Sequence, residues 1–160
     1  MTRIVIIGGG PAGYEAALVA AQLGAEVTVV ERDGIGGASV LTDCVPSKTL
    51  IAAAGAATSV REATVLGLHG ADLSHVGLDL ATVNSRVKSL AMAQSADIHN
   101  RLTGEGVRIV SGQGRLSDEI RGLAAHRVEV VDDAGTVIEE LESDVVLLAT
   151  GADPRVLPGA

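Results

Sequence analysis

Arg3-Ile-Val-Ile-Ile-Gly-Gly-Gly-Pro-Ala-Gly13, followed by Glu31 at the end of the next apolar run, is the stretch that decides the fold. Arg3 to Ile7 is a short β-branched run ended by glycines, the pattern of a strand buried on both faces. Pro11 stands where the first turn of a helix tolerates it. Ala12 to Leu23 is mostly Ala, Leu and Val, suited to a close-packed helix, and Gly24 is a natural stop. Glu26-Val-Thr-Val-Val30 then reads as a second strand, ending at Glu31. Strand, helix and strand in one compact stretch form a βαβ unit.

Gly8-Gly-Gly10-Pro-Ala-Gly13 fits G-x-G-x-x-G in the context that gives the pattern meaning, with a strand before it and a helix after it. Gly8 allows the tight turn out of the strand. Gly10 lets the backbone approach a pyrophosphate, and Gly13 lets the helix pack close to the sheet. The helix N-terminus offers free N–H groups and a partial positive charge to phosphates. Glu31 stands where the fingerprint expects an acid that accepts hydrogen bonds from a ribose, and its charge would repel a 2′-phosphate. These residues predict an adenine-dinucleotide site.

Composition narrows the class. The chain has 160 residues, 47% of them apolar, enough for one domain with a core. Its apolar runs are far too short to span a membrane, and the N-terminus has no signal-peptide pattern, so a cytoplasmic protein is expected. The net charge is −8 and no basic run stands out, which argues against nucleic acid and basic membrane anchors. Tyr14 is the one residue among Phe, Trp and Tyr, so base-stacking platforms are not expected either. A single cysteine, Cys44, excludes an internal disulfide. His69, His75, His99 and His126 share no metal-like spacing, and no metal is expected.

Further along, Ala38 to about Arg61 reads as a helix broken or kinked at Pro46. Gly67 to Gly77 reads as a loop. Leu80, Val83, Val87, Leu90, Gln94, Ile98 and Leu102 recur at helical spacing, a long amphipathic helix whose stripe packs in the core or against another domain. Val107 to Val110 is a strand. Arg127 to Val131 and Thr136 to Ile138 flank the turn Asp132 to Gly135 as an antiparallel hairpin, and Asp144 to Ala149 is a last buried strand. The expected fold class is α/β: a Rossmann-type, doubly wound parallel sheet with a small antiparallel hairpin.

Gly36-Gly-Ala-Ser39-Val-Leu-Thr-Asp-Cys44-Val-Pro-Ser-Lys48 resembles the redox segment of the pyridine-nucleotide disulfide reductases, whose pattern is G-G-x-C, four residues, then C-x-P-S-K. Ala149-Thr150-Gly151 and Pro154 to Gly159 resemble that family's A-T-G turn and the linker after it. The resemblance spans the whole chain and implies FAD as cofactor, with NAD(P)H as co-substrate. It implies a cofactor-binding set of Gly8, Gly10, Pro11, Ala12, Gly13, Glu31, Arg32, Gly36, Gly37, Ala38, Ser39, Lys48, Gln113, Gly114, Thr150 and Gly151. It also implies Cys44 and Lys48 as catalytic residues, with Lys48 near flavin N5. The backbone at Gly112 to Gly114 would meet the adenine. A lone cysteine in an apolar helix is otherwise most often a small buried hydrophobe, and Lys48 would otherwise be a surface lysine.

One departure carries the chemistry. Ser39 replaces the family's first cysteine, the one that exchanges with a disulfide substrate, and a hydroxyl cannot form a disulfide with Cys44. The run from Gly36 to Thr49 and the run Leu90-Ala-Met-Ala-Gln-Ser-Ala-Asp97 resemble the family's NAD(P)H:quinone reductases, which lack that disulfide. The implied reaction is hydride transfer from NAD(P)H to flavin and delivery of electrons to a quinone. The alternatives are a dihydrolipoamide dehydrogenase-type disulfide reductase and a non-catalytic dinucleotide-binding module. No second glycine fingerprint, later Gly-Asp motif, nicotinamide domain or dimer-forming domain is present. Residues 1–160 are therefore expected to be part of an N-terminal FAD-binding domain of a homodimeric enzyme, binding FAD weakly alone and without turnover.

Overall fold

In the computed structural model, which describes residues 1–68, 77–117, 126–153 and 159, the chain divides into two units, Met1–Gly37 with Ser95–Ala160, and Ala38–Gln94. The first unit is built on four parallel strands, β1 (Arg3–Ile7), β2 (Glu26–Glu31), β3 (Arg108–Ser111) and β7 (Val145–Leu148), in the order β3-β2-β1-β7. Helix α1 (Pro11–Gln22) connects β1 to β2. A second, antiparallel sheet has the order β4 (Gln113–Leu116), β5 (His126–Val131) and β6 (Val137–Ser143).

Alternation along the parallel strands sends side chains to two cores. Ile6, Val27 and Val29 face Ala17 and Leu18 of α1, together with Ile35, Val107 and Leu102. Val5, Ile7, Val30 and Val110 face Val128, Val130 and Leu141 of the antiparallel sheet. The parallel sheet is therefore the middle of three layers, and its second face is covered by strands rather than helices. In β1 and β2, where residues on both faces are buried, the strand centres are mostly β-branched and apolar.

The hairpin is one edge of a three-stranded sheet, because Gln113–Leu116 pairs with Leu116 opposite Val128 and Gln113 opposite Val131. Its second strand runs on to Ser143, past the expected end at Ile138. The turn between β5 and β6 is held by Asp132, whose carboxylate accepts from the N–H groups of Ala134 and Thr136. The last parallel strand is not buried. Among the described residues it pairs only with β1, at the edge of the sheet, and Leu148 is 60% exposed.

The second unit contains α2 (Gly37–Leu41 at its start), α3 (Cys44–Arg61), a 3₁₀ turn at Ala63–Leu66, and the first part of α4 (Leu80–Gly104). The helix break falls at Thr42 and Asp43, ahead of Pro46 rather than at it. Pro46 sits in the first turn of α3, where its missing N–H has no helical acceptor to lose. Among the described residues, the buried apolar side chains of this unit are Val40, Ala57, Ala63 and Ala91. The stripe on α4 is buried only at its end. Leu102 is fully buried and Ile98 packs beside it, whereas Leu80 and Leu90 are exposed. Of the expected loop and linker, residues 69–76 and 154–158 lie outside the described residues, as do His69 and His75.

At the amino ends of the parallel strands lies a set of ion pairs, in which Arg3 holds the segment leading into β7 and Arg108 ties the parallel sheet to β6. The Arg3 backbone N–H donates to Asp144 Oδ2 at 2.8 Å and its guanidinium to Oδ1 at 3.1 Å. Arg108 pairs with Glu139 at 2.7 Å. The Asp144 carboxyl is held below its usual value of 3.8, first by the Arg3 N–H and then by the Arg3 side chain. A lowered folded pKa gives stability that is present above the unfolded pKa and lost as pH falls through the folded one. Acidification below about pH 4 should therefore release this tie. Melting curves across that range should fall less steeply for Asp144→Asn than for the native protein; identical slopes would remove Asp144 from the acid limb.

Candidate functional site

In the order β3-β2-β1-β7 the chain passes from β1 to β2 on one side and returns as β7 on the other, and Gly8 follows β1 at that switch point, where open α/β sheets bind ligands. Its N–H donates to the Val30 carbonyl at 2.8 Å, holding the loop across the end of β2. Gly8 has φ +109°, and a Cβ there would stand 2.2 Å from the Ala149 oxygen at the end of β7. A Cβ on Gly13 would stand 1.8 Å from the Gly8 oxygen. Both glycines are demanded by the protein's own packing.

Gly10 differs. It caps α1 with an ordinary φ of −72°, and a Cβ built on it meets nothing nearer than Gly37 Cα at 3.9 Å. The fold leaves open the space that a side chain here would fill. No side chain caps this helix end, Pro11 has no N–H, and the N–H groups of Ala12 and Gly13 have no helical acceptor. Pro11 and Ala12 are exposed. Open space beside an uncapped helix N-terminus fits a pyrophosphate.

Glu31 organises the loops around that space. Its carboxylate accepts from Gly9 N–H at 2.6 Å, from Asp33 N–H at 2.7 Å and from Gly34 N–H at 3.3 Å. An ionised carboxylate has about four acceptor positions, so a ribose hydroxyl can still be accommodated. Arg32, expected among the cofactor contacts, pairs with its neighbour Asp33 at 2.8 Å on the surface. That pairing lowers the Asp33 carboxyl and raises the Arg32 guanidinium. Gly36 donates to the Gly9 carbonyl at 2.8 Å, and a Cβ on Gly37 would stand 2.8 Å from Gly10 Cα, so this second glycine turn lies against the first.

Gln113 and Gly114 belong to β4. Gly112 N–H donates to the Glu31 carbonyl at 3.0 Å, which brings this strand's start to the end of β2. Gln113 is exposed. Gly114 has a packing reason: a Cβ would stand 2.9 Å from Ile7 Cγ2, so its absence lets the two sheets approach. Thr150 is exposed beside Gly8, and Gly151 has φ +71° with open space around it.

In the second unit, Ala38 and Ser39 lie on α2, with Ala38 exposed and Ser39 half-buried. Cys44 and Lys48 lie in the first turns of α3, which is continuous across both, so their four-residue spacing puts them on one helix face. Both are exposed. Cys44 is thus not a small buried hydrophobe. Among the described residues, no cluster of His, Cys, Asp and Glu has the arrangement of a metal site, and His99 and His126 are exposed.

Two contributors escaped the sequence reading. Gly9 occupies an unspecified position of G-x-G-x-x-G, yet its N–H meets Glu31 and a Cβ there would stand 2.8 Å from Ile35 Cδ1. Ile35, a lone apolar residue between glycines, is buried in the helix-side core. Its only sequence signal was that an isoleucine in a surface turn has no reason to be apolar.

Together the parallel sheet and the glycine loop at its carboxyl end define a Rossmann-type fold. The profile of the pyridine nucleotide-disulphide oxidoreductases matches residues 2–160, and the chain belongs to that family. Over its whole length it is 54% identical to proteins named NAD(P)H dehydrogenase (quinone) in two strains of Mycobacterium tuberculosis, covering 33% of their length. It is 33% identical to a dihydrolipoyl dehydrogenase of Bacillus subtilis, with 98% of this chain and 32% of that protein covered. The crystal structure of LpdA from Mycobacterium tuberculosis superposes with a TM-score of 0.89 at 53% identity, over 100% of this chain and 34% of that one. The chain thus spans about a third of the length of these relatives. Among the described residues, no helix is long and apolar enough to cross a membrane.

Proposed function

We propose that this chain is the FAD-binding part of a flavoprotein that passes reducing equivalents from NAD(P)H to a quinone. The observation that carries the reading is the 54% identity, along the full chain, to a protein named for that activity. The dihydrolipoyl dehydrogenases of Haloarcula marismortui and Bacillus subtilis match at 32% and 33%. When bound, FAD supplies the redox chemistry, accepting hydride from the nicotinamide and reducing the acceptor.

The chain's residues supply binding and electrostatics. The Ala12 and Gly13 N–H groups and the α1 dipole hold the pyrophosphate in the space left by Gly10. Glu31 takes a ribose hydroxyl and repels a 2′-phosphate. Gly36, Gly37, Ala38, Ser39, Gln113, Gly114, Thr150 and Gly151 complete the cofactor contacts. Lys48 brings positive charge that favours an anionic reduced cofactor, and Cys44 shares its helix face. Ser39 has no thiol, so residues 39 and 44 cannot accept two electrons as a disulfide and hold them as a dithiol. Electrons therefore leave for a diffusible acceptor. Residues 1–160 as part of an N-terminal FAD domain, a homodimeric state and a cytoplasmic setting belong to the same reading.

The complete protein, supplied with NADH or NADPH, should reduce a benzoquinone rapidly and lipoamide negligibly. Lipoamide turnover matching that of the quinone would overturn the reading and restore disulfide exchange.

A further inference from the structure

The run Leu90 to Asp97 contains a serine bonded to a distant loop. Its Ser95 is half-buried on α4, and its hydroxyl donates to the carbonyl of Ile35 at 2.6 Å, across sixty positions of sequence. A serine within a helix ordinarily turns to solvent or back to the carbonyl four residues earlier. Here it reaches out to a loop.

Both ends of that bond are well held. Ser95, Ile98 and Leu102 fall on one face of α4 by their spacing, and Ile98 and Leu102 pack into the helix-side core. Ile35 is buried in the same core. The loop it belongs to carries the second glycine turn, where Gly36 N–H donates to the Gly9 carbonyl at 2.8 Å. A Cβ on Gly9 would stand 2.8 Å from Ile35 Cδ1, so Ile35 also bears directly on the first glycine loop. The order of support is α4, Ser95, Ile35, Gly36, Gly9.

We propose that Ser95 is a positioning residue for dinucleotide binding: its hydroxyl fixes the Gly34–Gly37 turn and, through it, the Gly8–Gly13 loop that cradles the pyrophosphate. This rests on the functional reading above, in that the cradle is taken to bind FAD. Removing the hydroxyl leaves the Ile35 carbonyl without that donor and frees the turn to shift, while Ile98 and Leu102 still hold the helix.

The test uses the complete protein stripped of flavin, titrated with FAD and with ADP as a probe of the adenosine-pyrophosphate half. Ser95→Ala should weaken both by about fivefold, the worth of one hydrogen bond. Ser95→Thr, which keeps a hydroxyl, should stay within about twofold of the native affinity. Ser95→Cys keeps the side-chain shape with a poor donor and should follow Ser95→Ala, which guards against a variant that fails to fold. Amide exchange in the flavin-free protein should quicken at residues 33–37 in Ser95→Ala while β1 and β2 stay unchanged. Unchanged exchange and native affinity in Ser95→Ala and Ser95→Cys would overturn the proposal. Exchange that quickens as expected, in a native protein that binds neither FAD nor ADP, would overturn the functional reading while supporting the hold of Ser95 on the turn.

Discussion

Gly13→Ala is expected to prevent the nucleotide end of the fold from closing. The new Cβ would stand 1.8 Å from the Gly8 oxygen and 3.0 Å from its carbonyl carbon. Those are backbone atoms, so no side chain can rotate away. Gly8 cannot retreat either, because its N–H is bonded to Val30 and a Cβ position on it already falls 2.2 Å from the Ala149 oxygen. Relief requires α1 to lift from the sheet, which opens the core around Ala17, Leu18 and Ile6. Overpacking of this kind costs about 3 kcal/mol or more, a large share of a typical stability of about 5–15 kcal/mol. Urea denaturation should show the midpoint falling sharply, or the variant should be recovered only as insoluble protein. A midpoint within error of the native one would mean that the helix and loop do not pack as described.

Gly10→Ala is expected to do the opposite: keep the fold and lose the cofactor. The backbone at Gly10 is already in a region open to alanine, and its Cβ would meet nothing nearer than 3.9 Å. Alanine restricts the unfolded chain and so stabilises slightly, while it is a poorer helix cap than glycine. These effects are each under about 1 kcal/mol and opposed in sign, so the melting temperature should barely move. The added methyl occupies the space assigned to the pyrophosphate. FAD affinity should fall by about a hundredfold or more, a loss of ~2.7 kcal/mol. Flavin fluorescence titration of the flavin-free protein decides it. Native affinity in Gly10→Ala would put the pyrophosphate elsewhere and remove the basis for reading this loop as a phosphate cradle. The two glycines stand three positions apart in one motif and separate stability from binding.

The first βαβ unit was legible almost residue by residue. Arg3–Ile7 and the helix from Pro11 appear as read, because an apolar run, three glycines and a proline act locally. The carboxyl half of α4 was legible in the same way, from Ile98 and Leu102 at helical spacing. The errors share a cause. Gln113–Leu116 has no apolar alternation of its own and becomes a strand because β5 offers it an edge. Pro46 looked like a helix breaker, but the break came earlier, at Asp43, which put the proline in a first turn that accepts it. The strand at Val145–Leu148 is as apolar as β1, yet among the described residues it has a partner on one side only. Hydrophobicity describes what a segment could bury, not whether a neighbour arrives to bury it.

The same division holds at the site. The sequence alone determined the presence of the glycine loop, the acid that follows it, the Cys44–Lys48 spacing and the serine that rules out a disulfide at residue 39, since each depends on residues close together in the chain. Only the tertiary structure decided which glycine serves the fold and which leaves room for a ligand. That depends on Ala149 and Gly37, which meet the loop from distant points of the sequence. It also decided that Glu31 braces three backbone amides and that Ser95 holds Ile35. A hydrogen bond is made by position in space, and position in space is set by how the layers pack.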